Sequence, residues 1–165
     1  MDDFVATVTA IRDQDESAAR RLGDPAELFG RYLAEQAAGD RVVVVAEAQG
    51  RPVGYLGVLW RSDYQPFRDG GIPEIVDLTV LPRHRRQGLG TALLDAAEAT
   101  VASRMPVAGI ACGLSAAYAP AMLLYLKRGY LPDGRGMARA DRSVAPGETV
   151  PLDDATTLMF IKRLH

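Results

Sequence analysis

The spacing of apolar and polar positions divides the chain into short strands and amphipathic helices. Residues 4–11 alternate small, β-branched and apolar side chains and predict a first strand. Residues 13–39 carry a helical pattern in two pieces. Asp24-Pro25 offers an N-cap with proline at the first helical position, and Gly39 offers a stop. Leu28, Phe29, Tyr32 and Leu33 form the expected buried stripe of that second piece. Arg41–Ala48, with four consecutive valines, and residues 52–60, with Val53, Tyr55, Leu56 and Val58, predict two strands joined by a Gln49-Gly50 turn.

Residues 61–72 read as a polar and aromatic loop, and Glu74–Val80 as a strand that ends at Leu81-Pro82. Residues 89–104 place Leu93, Leu94, Ala97 and Val101 on one helical face. A strand at 107–114 and a short helix at 120–128 follow, with Pro120 early in the helix and Gly129 just past its end. Residues 130–150, rich in Gly, Pro, Arg and Asp, read as a long loop before a closing strand, Thr156–Arg163. The sum is a mixed α/β chain whose helices are interleaved among strands. No repeat or long linker interrupts it, so residues 1–165 are expected to form a single domain.

Composition narrows the classes without choosing one. Apolar residues make up 48% and charged residues 24%, close to the average soluble domain. The net charge of −2 offers no basic surface for nucleic acid or anionic membrane. No apolar run approaches the ~20 residues that span a bilayer, and the start, Met1-Asp2-Asp3-Phe4, lacks the basic and apolar regions of a signal peptide. A single cysteine, Cys112, excludes an internal disulfide framework and fits a reducing compartment, so a cytoplasmic, soluble protein is expected.

The chemistry concentrates in Arg85-Arg86-Gln87-Gly88-Leu89-Gly90-Thr91, between a predicted strand and a predicted helix. Glycines let the backbone turn and leave N–H groups uncovered. The first N–H groups of a helix have no partner inside it, and the helix dipole adds partial positive charge there. Together these make a site for phosphate or pyrophosphate, to which Arg85, Arg86 and the Thr91 hydroxyl add contacts. A P-loop would require Lys-Ser/Thr after the last glycine, where Thr91-Ala92 stands. A dinucleotide fingerprint would require glycine at Leu93.

The order EIVDLTV, Leu81-Pro82, RRQGLGTALL resembles the acetyl-CoA signature of the GNAT superfamily of N-acetyltransferases, whose pattern is Arg/Gln-x-x-Gly-x-Gly/Ala at the start of a long helix. A second stretch, from Tyr118 through Tyr125 to Gly129-Tyr130, resembles the family's late helix, which ends in Leu-Tyr-x-x-x-Gly-Phe/Tyr. The resemblance implies a GNAT-type fold, a central, mostly antiparallel, splayed mixed sheet flanked by helices. It implies acetyl-CoA as cosubstrate, with no metal and an amine of a small molecule or peptide as acceptor. The pyrophosphate would lie on residues 86–91, and the pantetheine arm would pair with the backbone of Leu78, Thr79 and Val80. The family often has asparagine where this chain has Tyr118, which alters or removes one cofactor contact.

The resemblance also assigns the proton chemistry. An alkyl amine with a pKa near ~10.4 must lose a proton before it attacks a thioester. Glu74, at the start of the strand that feeds the glycine motif, is the candidate base, and Tyr125, which matches the family tyrosine near the cofactor sulfur, is the candidate acid. Asp77 is a rival base on the same strand, and strand parity sets it opposite Glu74. His84, in the basic turn, is expected to face solvent, and His165 is terminal. Cys112 is expected to be a buried hydrophobe rather than a nucleophile, so transfer is direct, without an acyl-enzyme.

Substrate recognition is expected from the helix at 24–39, the loop at 61–72 and the loop at 131–155. Trp60, Tyr64 and Phe67 would line an apolar slot, with Asp63 or Asp69 attracting a cation. Val58, Val76 and Leu114 would set the acyl length, which leaves a longer acyl group as an alternative. A non-catalytic acyl-CoA sensor is the other alternative. Monomer and homodimer both stay open, since an edge strand near the C-terminus can pair with a second copy.

Overall fold

The computed structural model describes residues 24–165. The strand expected at 4–11 and the first helical piece lie outside the described residues. Helix α1 is Pro25–Ala38, followed by strands β1, Arg41–Ala48, and β2, Arg51–Leu59. Helix α2, Gln65–Gly70, precedes β3, Glu74–Val80. After a 3-10 turn at Pro82–His84 come α3, Leu89–Ala102, and β4, Val107–Gly113. A second 3-10 turn, Ala116–Tyr118, leads into α4, Ala119–Lys127. The chain closes with β5, Leu131–Arg139, β6, Arg142–Ser143, and β7, Thr156–Arg163. Among the described residues, seven strands form an open, mostly antiparallel sheet in the order β1-β2-β3-β4-β7-β5-β6, flanked by helices. The chain resolves into two compact units, and β3 contributes to both.

The first unit holds α1, β1, β2, the Val76–Val80 part of β3 and α3 as far as Ala99. The N-cap of α1 is built as the sequence predicts: Asp24 Oδ1 accepts from the amides of Ala26 at 2.8 Å and Glu27 at 3.1 Å. Gly39, at φ +80, ends the helix, and Asp40 N–H bonds back to Glu35 O. Leu28 and Tyr32 are buried, four residues apart on one face, and pack with Val53, Tyr55 and Leu81. Leu33, expected in that stripe, is 41% exposed, because it lies about 100° round the helix from Tyr32; nothing is described for the side chain of Phe29. The β1–β2 hairpin turns on Gln49 and Gly50, both at positive φ, the backbone that matches strand twist in a two-residue turn. Leu93, Leu94, Ala97 and Val101 of α3 are all buried, as expected.

The second unit holds Trp60–Ile75 and Thr100–His165. β7 is its central strand, pairing antiparallel with β4 on one side and β5 on the other. Two of the expected loops are corrected here. Within 61–72, residues Gln65–Gly70 form α2, begun by Pro66 and closed by left-handed Gly71. Within 130–150, β5 and β6 are strands, although β5 breaks register with β7 between Pro132 and Met137. Phe67 packs edge-to-face on Tyr64, ring centroids 5.0 Å apart, in a cluster with Ala138 and Met159. Trp60 lies under Arg104, whose guanidinium carbon is 4.3 Å from the ring centroid. Among the described residues no helix is long and apolar enough to cross a membrane.

Candidate active site

The first unit carries the glycine turn singled out in the sequence. β3 ends at Val80, Leu81 N–H bonds to Val53 O at 2.8 Å, and the chain passes through Pro82–His84 into the glycine motif. Gly88 has φ +83, and a β carbon there would meet nothing within 4 Å, so the turn is open on that side. The other left-handed residue is Arg86, at φ +62, while Gly90 already belongs to α3. Ala92 N–H bonds to Gly88 O, which leaves the amides of Leu89, Gly90 and Thr91 in the first turn of a 14-residue helix. Side chains fasten the turn from outside: Arg85 Nε donates to Val80 O at 2.8 Å, and Gln87 Nε2 to Arg83 O at 3.2 Å. Arg85, Arg86, Gln87 and Thr91 are exposed. His84, expected to face solvent, is half-buried, and Arg83 Nε lies 3.2 Å from its Nε2.

β3 itself is irregular. Asp77 sits at φ +59, a left-handed conformation that costs a non-glycine residue roughly 1–2 kcal/mol. Its carbonyl accepts from Thr79 Oγ1 at 2.9 Å. Its carboxylate accepts from the Tyr32 hydroxyl and lies 3.4 Å from Arg41 Nη1. Arg41 is 5% exposed, donates through Nε to Glu35, and its guanidinium carbon stacks 3.9 Å from the Tyr32 ring centroid. Gly57 makes room for this arginine: a β carbon there would lie 2.5 Å from Arg41 Nη1 and 3.2 Å from Val76 Cγ2. Burial first, and the Asp77 charge second, push the Tyr32 phenol far above its ordinary range, so it stays a proton donor.

The second unit carries the other candidates. Glu74 is buried, 8% exposed, and accepts from the Ser62 hydroxyl. Ser62 Oγ in turn accepts from Tyr64 N–H at 3.0 Å. An amide can only donate, so the hydroxyl proton of Ser62 is directed at the carboxylate. Tyr125, on α4, is 5% exposed, with its ring 6.0 Å from that of Tyr130. α4 ends as its motif predicts, at Gly129 with φ +89, where Tyr130 N–H bonds to Tyr125 O. Tyr118 packs over Gly113, where a β carbon would lie 2.4 Å from its ring, and its hydroxyl donates to Asp154 Oδ1 at 2.7 Å. Cys112 is buried, and burial pushes its thiol up to about 11.

The predicted site residues thus divide between the units. Leu78, Thr79, Val80 and residues 85–91 belong to the first, with Thr79 buried. Glu74, Tyr118 and Tyr125 belong to the second. Tyr64 and Phe67, expected to line a slot, are core residues instead, each 2% exposed. Tyr64 also donates to Asp133 Oδ2 at 3.1 Å. The arginine-rich segment is tied down by ion pairs, Arg139 with Asp153 and Arg142 with Glu148. Of the acyl-length residues, Val58 is buried, Val76 half-buried and Leu114 exposed. Sequence reasoning missed Arg41 and Ser62. The signal for Arg41 is Gly57 inside an apolar strand, a mark of close approach. Among the described residues no group of three or more His, Cys, Asp or Glu is placed to hold a metal ion.

A family model for the acetyltransferase (GNAT) family matches residues 7–130. No curated protein matches. Among solved structures, the paiA N-acetyltransferase of Thermoplasma acidophilum, in complex with coenzyme A, is 13% identical with a TM-score of 0.67 over 98% of this chain and 93% of that one. The ribosomal-protein-alanine N-acetyltransferase of Brucella melitensis is 21% identical, TM-score 0.62, over 87% and 80% of the two chains. The yncA protein of Salmonella typhimurium, with its cofactor acetyl-CoA, is 20% identical, TM-score 0.61, over 87% and 75%. At these identities the likeness is one of fold.

Proposed function

The chain belongs to the acetyltransferase (GNAT) family, and we propose that it transfers an acetyl group from acetyl-CoA to a primary amine of a small molecule or peptide. The observation that carries this reading is the open turn at Gly88, which leads straight from β3 into the first amides of α3. Backbone donors and a helix dipole at one point suit a pyrophosphate. We assign the pyrophosphate to residues 86–91, with Arg85 beside it, and the pantetheine arm to Leu78, Thr79 and Val80, with residues 1–165 acting as one domain. Tyr118 is kept as a cofactor neighbour, although its hydroxyl is engaged by Asp154.

The donor supplies an activated thioester. Glu74 takes the proton of the incoming ammonium on a carboxylate oxygen, directly or through water. The amine nitrogen forms its bond to the acyl carbon as the carbon–sulfur bond breaks, Tyr125 gives a proton from its phenol oxygen to the leaving thiolate, and the second proton leaving the nitrogen restores the phenol through water. Asp77 is set aside as the base because Tyr32 and Arg41 already engage its carboxylate. A buried thiol held near 11 does not favour a cysteine nucleophile, which supports direct attack.

The test is release of CoA thiol from acetyl-CoA against polyamines, aminoglycosides, amino acids and short peptides. Acceptor-dependent release is expected for one of these classes. Tyr125→Phe is expected to keep acetyl-CoA affinity within about twofold and to lower turnover about a hundredfold. Silence across the panel with acetyl-CoA bound would turn the reading toward an acyl-CoA sensor, and unchanged turnover in Tyr125→Phe would remove the acid assignment.

A further inference from the structure

Asp77 is a non-glycine residue held left-handed in the interior of a strand, and four elements converge to hold it. α1 brings Tyr32 and Glu35, β1 brings Arg41, β2 supplies the gap at Gly57, and β3 presents the carboxylate. Arg41 is fixed on three sides, by Glu35 at Nε, Asp77 at Nη1 and the Tyr32 ring across its face. Within the strand, the Asp77 carbonyl accepts from Thr79 Oγ1, two residues on. A strand under no such constraint would relax to extended backbone, since left-handed geometry is unfavourable for Asp.

We propose that Tyr32 and Arg41 are positioning residues for the acyl donor. By holding the Asp77 carboxylate they keep its backbone left-handed, and that turn sets the course of Leu78, Thr79 and Val80, along which the pantetheine arm lies. The inference rests on the acetyl-CoA reading above. It places determinants of donor affinity on α1 and β1, in side chains that need not touch the donor.

Calorimetric titration with acetyl-CoA and with free CoA tests it without any knowledge of the acceptor. Tyr32→Phe removes only the hydroxyl donor and is expected to weaken acetyl-CoA binding about fivefold or more in protein that thermal unfolding shows to be folded. Asp77→Gly and Asp77→Val both lose the carboxylate, but only glycine keeps the left-handed backbone at no steric penalty. Asp77→Gly is therefore expected to bind at least about fivefold more tightly than Asp77→Val. Binding by Tyr32→Phe within about twofold of wild type overturns the proposal, as does equal weakness of the two Asp77 variants. Should Asp77→Val not fold, Tyr32→Phe decides alone. Wild-type protein that binds neither ligand overturns the donor reading itself, and the positioning role with it.

Discussion

Gly109 is the position where one methyl group would do most damage to the second unit. It lies in β4, opposite Glu74 in β3 and Ile161 in β7. A β carbon there would stand 2.2 Å from Phe67 Cε2, 2.6 Å from Cδ2 and 2.9 Å from Cζ. Ordinary contact begins at 3.4 Å, so the ring must retreat by about 1.2 Å. Phe67 is 2% exposed, set edge-on to Tyr64, and carried by a helix whose start is tied by Gln65 N–H to Asp141 O. Overpacking costs about 1–3 kcal/mol in a core that can adjust, and here the upper end applies. The lost unfolded-state freedom of glycine offsets about 0.4–1 kcal/mol. Gly109→Ala is expected to cost about 2–3 kcal/mol in urea unfolding, or a fall in Tm of roughly 4–12 °C.

A double-mutant cycle isolates the cause. Phe67→Ala alone should cost about 3–5 kcal/mol. In that background the methyl added at position 109 enters vacated space, so adding Gly109→Ala should be neutral or favourable, a coupling of about 2 kcal/mol or more. A Gly109→Ala variant within about 0.5 kcal/mol of wild type, or costs that simply add, would refute the steric argument.

Glu74→Gln is expected to lower acetyl transfer about a hundredfold with acetyl-CoA affinity intact, and Ser62→Ala to fall between it and wild type; equal rates for all three would remove Glu74 from the chemistry. Glu148 is held down to about 2 by hydrogen bonds from Arg142 and then from Ala145 N–H, below its ordinary 4.5. A depressed carboxylate stabilises the folded state above its unfolded value, and that contribution is lost as pH falls from 4.5 toward 2. Urea midpoints for Glu148→Gln should therefore vary less across this interval than wild type, by a small amount because the pair is exposed. With its thiol pushed up to about 11, Cys112 in folded protein at pH 8 should react with iodoacetamide roughly a hundredfold more slowly than in urea; similar rates would contradict the burial.

The sequence carries the parts of this fold that depend on local chemistry. The caps of α1, the bounds of β3 and β7 and the Gln49-Gly50 turn follow from residues whose backbone preferences act within a few positions. Where partners lie far apart, the pattern fails. β5 contains Pro132, Gly134 and Gly136 and is exposed along most of its length, so no apolar alternation marks it; it is a strand because β7 offers it a partner. α2 is six residues long, too short to show a helical period. The glycine turn is legible because its shape depends on its own backbone, with left-handed residues at Arg86 and Gly88. The Tyr32–Arg41–Asp77 arrangement was not, because it joins residues up to 45 positions apart and rests on a left-handed aspartate that alternation cannot anticipate.

The contact between Trp60 and Arg104 has a practical consequence. Trp60 is the only tryptophan in the chain, and both partners belong to the second unit. Intrinsic fluorescence excited at the indole therefore reports that unit alone, while far-ultraviolet circular dichroism draws on helices and strands of both. The molecule thus carries its own gauge of cooperativity: coincident transitions in the two signals mark a single melting unit, and separated ones mark two.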